Sequence, residues 1–151
     1  EDLVIEFCED FEYDPIIFRA NQMIKGQRLP IYHTNVLMAL GEDIAVICLD
    51  AIDSKSEKKM LIQNFKEDGK EVVKISETQM QQFAGNMLQV KGANNQKYMV
   101  MSSAAYYSLI PEQIRSIEKN STIIHSDLKT IETCGGGSAR CMMAEVFLSK
   151  G

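Results

Sequence analysis

Two residues in this chain have the means to do covalent chemistry. Cys141 closes the run Gly135-Gly-Gly-Ser-Ala-Arg140-Cys141. A thiol becomes a nucleophile when a cation, a histidine or backbone amides lower its pKa from about 8.5. Three successive glycines leave amides exposed and permit tight φ/ψ values, and Arg140 brings a positive charge to the neighbouring position. The same stretch also fits a glycine-rich loop leading into an inert, buried cysteine. The chain has only two histidines, which restricts the acid/base partner to His33 or His125. His33 stands with Thr34 and Asn35 before an apolar run; His125 follows Thr122 to Ile124, beside Ser126 and Asp127. Either also fits a surface histidine.

No other constellation competes. The serine elbow GxSxG, the phosphate loop GxxxxGK and the zinc motif HExxH are all missing, so the sequence calls for no metal and no cofactor. The four cysteines form no CxxC pair, and Cys8 and Cys48 lie in apolar patterns where a thiol acts as a small hydrophobe, which argues against a disulfide framework. The methionines, Met38, Met60, Met87, Met99 and Met101 among them, read as core filling.

Cys141 and His33 are far apart in sequence, so the elements between them must bring them together. Periodicity predicts an opening helix to about Phe11, a strand at Ile16 to Phe18 and a turn-rich stretch through Gly26 and Pro30. Two apolar runs, Val36 to Leu40 and Ile44 to Leu49, bracket Gly41 and read as buried strands. A helix capped by Asp53 or Ser54 follows and stops at Gly69. Val72 to Ile75 is read as a strand and Glu77 to Phe83 as a short helix. The order then recurs, with strands at Met87 to Val90, Tyr98 to Met101 and Thr122 to Ile124, and helices through Tyr106 and over Pro111 to Lys119. Asn35-Val-Leu-Met-Ala-Leu-Gly41 aligns with Asn86-Met-Leu-Gln-Val-Lys-Gly92, and a third copy is expected to open as a strand at Cys141. A period of about 50 residues is the mark of a repeat or propeller-like architecture. It would place Asn35, Asn86 and Cys141 at equivalent strand starts around one axis.

At 151 residues, 45% hydrophobic and 25% charged, the chain can bury a core. A net charge of −5 argues against a nucleic-acid partner. With no apolar run long enough to span a bilayer and no leader pattern, the expectation is a cytoplasmic protein without a membrane partner.

These residues resemble a known family. Gly135 to Leu148 is similar to the nucleophile segment of the amidinotransferase and arginine-deiminase (pentein) superfamily. Ile31-Tyr-His-Thr-Asn-Val36 resembles its histidine strand, Phe83-Ala-Gly-Asn-Met-Leu88 its Gly-Asn strand, and Met101 to Ile114 the segment between them. The resemblance implies an α/β fold, a pentein-type propeller of strand-strand-helix-strand modules. About half of the five modules would be present, over roughly 33–75, 86–126 and a partial module from 141. It implies Cys141 and His33 as the catalytic pair acting on a guanidino small molecule, by amidino transfer or by deiminase-type hydrolysis. Asn35 stands where arginine deiminases usually carry an Asp, so a carboxylate clamp is lost there. Arg140 is the other expected substrate contact, and Glu132 is the first candidate for a replacement carboxylate. The family's N-terminal, Gly-Gly-Asp-bearing half has no counterpart, which implies a homo-oligomer or a separate N-terminal half as partner. The alternative expectation is an inactive half acting as a binding or structural module.

Overall fold

The structure, a computed structural model, describes residues 2–145. It is a mixed α/β arrangement of seven α-helices and eight strands among the described residues: α1 (Asp2–Asp10), β1 (Asn21–Ile24), β2 (Gln27–Pro30), α2 (Thr34–Leu37), β3 (Met38–Leu40), β4 (Ile44–Ile47), α3 (Lys55–Glu67), β5 (Glu71–Lys74), α4 (Glu77–Gln81), β6 (Leu88–Lys91), β7 (Lys97–Ser102), α5 (Ser103–Ser108), α6 (Pro111–Glu118), β8 (Thr122–Ser126) and α7 (Lys129–Gly135).

Two three-stranded sheets share one topology. In the first, β3 pairs antiparallel with β4 and β4 pairs parallel with β5; in the second, β6, β7 and β8 repeat that order and those senses. A parallel return needs a crossover. α3 supplies it in the first sheet, and α5 with α6 in the second. Thr122, the first residue of β8, lies 51 residues after Glu71, the first of β5, so the sequence period carries over into the sheets.

Every residue of β4 is buried, which is why it reads as an unbroken apolar run. Leu61 and Phe65 of α3, Val73 of β5, Met80 of α4, Met87 beside β6, Met99 and Met101 of β7 and Ile117 of α6 join it in one cluster spanning both sheets. This shared core holds one sheet against the other. The helix signals behave as their chemistry dictates: Ser54 Oγ accepts from Glu57 N, Ser76 and Gln79 form a capping box, and Gly69 ends α3 at φ +70.

Several expected elements differ. Ile16 to Phe18 forms no strand: it follows Pro15, which has no N–H to give, and finds no strand partner, while Phe18 packs on the core. The turn-rich stretch is a hairpin, β1 against β2, closed at Lys25 (φ 49) and Gly26 (φ 79), the two positive angles a type I′ turn requires. The run Val36 to Leu40 divides into helix α2 and the short strand β3, because the His33 side chain caps α2 by accepting from Asn35 N. Cys141 lies in a 3₁₀ turn, Ala139–Met142, and opens no strand up to residue 145; the rest of that expected strand, Val146 to Leu148, lies outside the described residues.

Candidate active site

His33 and Cys141 line the same cavity, of about 280 Å³, together with Gln22, Tyr32, Asn35, Val36, Met80, Gln81, Phe83, Asn86, Gly136 and Gly137. His33 is placed by the capping of α2. Its Nδ1 lies 3.3 Å from the Asn35 backbone nitrogen. A backbone amide can only donate, so Nδ1 is the acceptor and the proton of the neutral ring sits on Nε2.

Cys141 is placed by the loop that the three glycines build. Gly136 caps α7 in the left-handed conformation at φ 70. The buried Ser138 donates its hydroxyl to Glu132 Oε1 at 2.6 Å, tying the loop back to α7, and the Cys141 amide turns in on Ser138 O at 3.1 Å. The thiol is exposed to the cavity side of this turn.

Asn86 joins the two halves. Its carboxamide nitrogen donates to Asn35 O at 3.1 Å and lies 3.3 Å from Cys141 Sγ, while its Oδ1 accepts from Arg140 N at 3.1 Å. Residues 35 and 86 are 51 apart in sequence, and 86 and 141 are 55 apart. The three positions aligned by the sequence repeat therefore meet at one buried side chain. Asn86 is presented by the turn Phe83-Ala84-Gly85-Asn86, closed by Asn86 N to Phe83 O at 2.8 Å. Phe83 holds φ +64 as it ends α4, a strained angle for a bulky residue, and its side chain forms part of the cavity wall.

The hairpin contributes Gln22. It is anchored by Arg28, whose guanidinium reaches Asp53 at 2.7 Å, Glu77 at 2.5 Å and the Asp50 carbonyl at 2.8 Å. Arg28 holds the Asp53 carboxyl below the usual carboxylate range by hydrogen bonding, with help from Asn21.

Arg140 and Glu132 stand elsewhere. The Arg140 side chain lines a separate cavity of about 660 Å³ with Glu42, Gln89, Lys91 and Glu145, and only its backbone N–H joins the Cys141 cluster. That cavity is the larger, but it contains no nucleophile and its Glu42 is already paired with Lys91 at 2.9 Å, so the smaller one is the candidate active site. Glu132 acts on the loop through Ser138 and is not among the residues lining the Cys141 cavity. Those lining residues include no Asp or Glu; their polar side chains are amides, a phenol, the imidazole and the Cys141 thiol. His125 is remote from this group, with Nδ1 3.0 Å from Ser103 Oγ and its ring stacked on Tyr106 at 4.1 Å. Among the described residues no cluster of three or more His, Cys, Asp or Glu could hold a metal ion, and no helix is long and apolar enough to cross a membrane.

A family model described as eukaryotic N,N dimethylarginine dimethylhydrolase matches residues 1–148. The chain belongs to that family. No curated protein matches it. Membership of the dimethylarginine dimethylhydrolase family places the chain among the guanidino-modifying penteins, in keeping with the resemblance carried by the histidine, Gly-Asn and nucleophile segments. Asn86 was legible only as a repeat position and within the Phe83 to Leu88 segment that carries the resemblance, since an asparagine at a strand mouth has no chemical signature of its own. Tyr32 and Phe83 lie in segments that carry the resemblance but were given no role there, and Gln22 and Gln81 had no signal, because the hairpin and helix α4 that present them are fixed by tertiary contacts.

Proposed function

We propose that this chain carries the Cys-His pair of a hydrolase that cleaves a C–N bond at the guanidinium carbon of an arginine derivative. The observation that supports the reading is the single cavity shared by Cys141 and His33, in a chain matched by the dimethylarginine dimethylhydrolase family over 148 of its residues. His33 Nδ1, the basic nitrogen of the ring, leaves its 3.3 Å contact with the Asn35 amide to take the thiol proton, and the ring becomes an imidazolium. The Cys141 thiolate forms an S–C bond to the guanidinium carbon, the C–N bond to the departing amine breaks, and the imidazolium returns its proton to that nitrogen. Neutral His33 then removes a proton from water as its oxygen attacks the same carbon. The C–S bond breaks and the thiolate is regenerated. With N,N-dimethylarginine as substrate the products are citrulline and dimethylamine. The family's hydrolytic description favours water over an amine as acceptor.

Without a lining carboxylate, the guanidinium N–H groups are held by the side-chain carbonyls of Asn35, Gln22 and Gln81, which accept hydrogen bonds without supplying charge. The two ββαβ units, over about 33–75 and 86–126, are read as two blades of a pentein-type propeller. The whole reading is tested by incubating the protein with N,N-dimethylarginine and following citrulline. Citrulline from the parent and none from Cys141→Ala supports it, and equal formation by both proteins rejects it.

A further inference from the structure

We infer that Asn86 is a hydrogen-bond donor to the Cys141 thiolate, favouring the ionised sulfur and fixing its position for attack. The inference rests on the proposed role of Cys141 as nucleophile and adds a third residue to it.

The argument begins with which end of the carboxamide faces the sulfur. Oxygen and nitrogen of an asparagine are distinguished by their partners. One end lies 3.1 Å from Asn35 O, which can only accept, and the other lies 3.1 Å from Arg140 N, which can only donate. Reversing the amide would set oxygen against oxygen and N–H against N–H. The NH₂ group is therefore the end near Asn35, and the same nitrogen is 3.3 Å from Cys141 Sγ. It has two hydrogens. With one on the Asn35 carbonyl, the second is available to the sulfur. A neutral thiol is a weak acceptor, whereas a thiolate is a charged one, and hydrogen bonds to charged groups are roughly twice as strong as neutral ones. The contact thus favours S⁻ over S–H. Asn86 is 4% exposed, so water competes little for this donor, and both ends of its side chain are held. Asn86 and His33 reach the Cys141 cavity from different elements, the turn after α4 and the cap of α2.

The test measures Cys141 without substrate, so that its outcome is separable from turnover. Iodoacetamide labelling of Cys141 is followed by peptide mapping across a pH series, with the exposed Cys134 in the same molecule as internal reference. In the parent, Cys141 is expected to label at lower pH than Cys134. In Asn86→Asp, which keeps the acceptor for Arg140 N but replaces the donor by an anion, the midpoint for Cys141 should rise by about one pH unit or more, while that of Cys134 stays. Asn86→Ala should give a smaller rise. A merely structural role for Asn86 would change the extent of folding without moving the midpoint of the folded fraction. Unmoved midpoints in folded Asn86→Asp overturn the inference. If neither variant folds, the parent decides: labelling of Cys141 at no lower pH than Cys134 overturns it as well. An active parent whose midpoint ignores Asn86→Asp refutes the inference and leaves the hydrolase reading standing; an inactive parent with the expected midpoints does the reverse.

Discussion

A Cβ built on Gly137 would stand 2.9 Å from the Cβ of Cys141 and 3.1 Å from its sulfur. The Cys141 side chain is therefore packed directly on a bare backbone, and a third glycine in the loop leaves that room.

Substitution Gly137→Ala should consequently act on the sulfur more than on the fold. Its φ lies outside the left-handed region, so alanine is conformationally acceptable, but Cys141 has to move by several tenths of an ångström. Misplacement of a reacting atom by about 1 Å can cost on the order of 100-fold in rate. The expected outcome is a turnover loss of about tenfold or more with a melting temperature close to the parent's. Unchanged turnover would show that the loop absorbs the methyl group elsewhere.

Gly85→Ala should do the opposite and damage the fold first. An added Cβ would lie 2.4 Å from the Val36 carbonyl oxygen and 2.9 Å from the Leu37 carbonyl carbon, both backbone atoms that cannot rotate away. Overpacking of this kind costs about 1–3 kcal/mol. Urea unfolding should register a loss in that range, and a stability equal to the parent's would mean that α2 and the Gly-Asn turn are not in close contact in solution.

The Arg28 anchor makes a prediction about pH. Hydrogen bonding to Arg28 depresses the Asp53 carboxyl in the folded state. A depressed carboxyl stabilises the fold at pH above its unfolded value, near 4, and that contribution disappears as pH falls through the folded value. Arg28→Met should therefore lower the melting temperature at neutral pH, and the gap from the parent should narrow as pH drops below about 4. A gap that is constant with pH would assign the effect to lost side-chain packing. The same variant should free the β1–β2 hairpin, so limited proteolysis is expected to cut near Lys25-Gly26 sooner than in the parent.

Cys48 gives an internal control for thiol chemistry. It is fully buried, and burial pushes its thiol pKa up. Native protein treated with limiting iodoacetamide should be labelled at Cys141 and Cys134 and left unmodified at Cys48, which should react only in denaturant. Early labelling of Cys48 would place the opening of the core among the fast local motions of this protein.

The order of strands and helices was legible because burial leaves period and composition behind. β4 is buried on both faces and reads as an unbroken apolar run; Ser54, Ser76 and Gly69 mark helix ends by local hydrogen bonding and backbone freedom. The matching of Asn35, Asn86 and Cys141 was visible as a repeat, and the three meet at the Asn86 side chain. Arg140 shows why proximity in sequence is a poor guide to proximity in space. Its amide serves the Cys141 cluster while its side chain turns into the neighbouring cavity, a choice made by the 3₁₀ turn and not by residue type. Glu132 was legible as a carboxylate near Cys141, but its partner Ser138 lies on the same loop, and such local closure has no periodic signature. The hairpin was missed because its exposed β2 carries no alternating pattern to read.

The Asn86 carboxamide clasps backbone and side-chain atoms from segments 51 and 55 residues away. Contacts of such sequence separation form only after the entropy of closing the intervening loops has been overcome. A chain with its helices wound and one sheet paired would still lack the clasp. The chemical behaviour of Cys141 is thus a stopwatch for the last stage of assembly: during refolding its reactivity should reach the native value after circular dichroism has already levelled off, because the sulfur acquires its neighbour only when the two sheets meet.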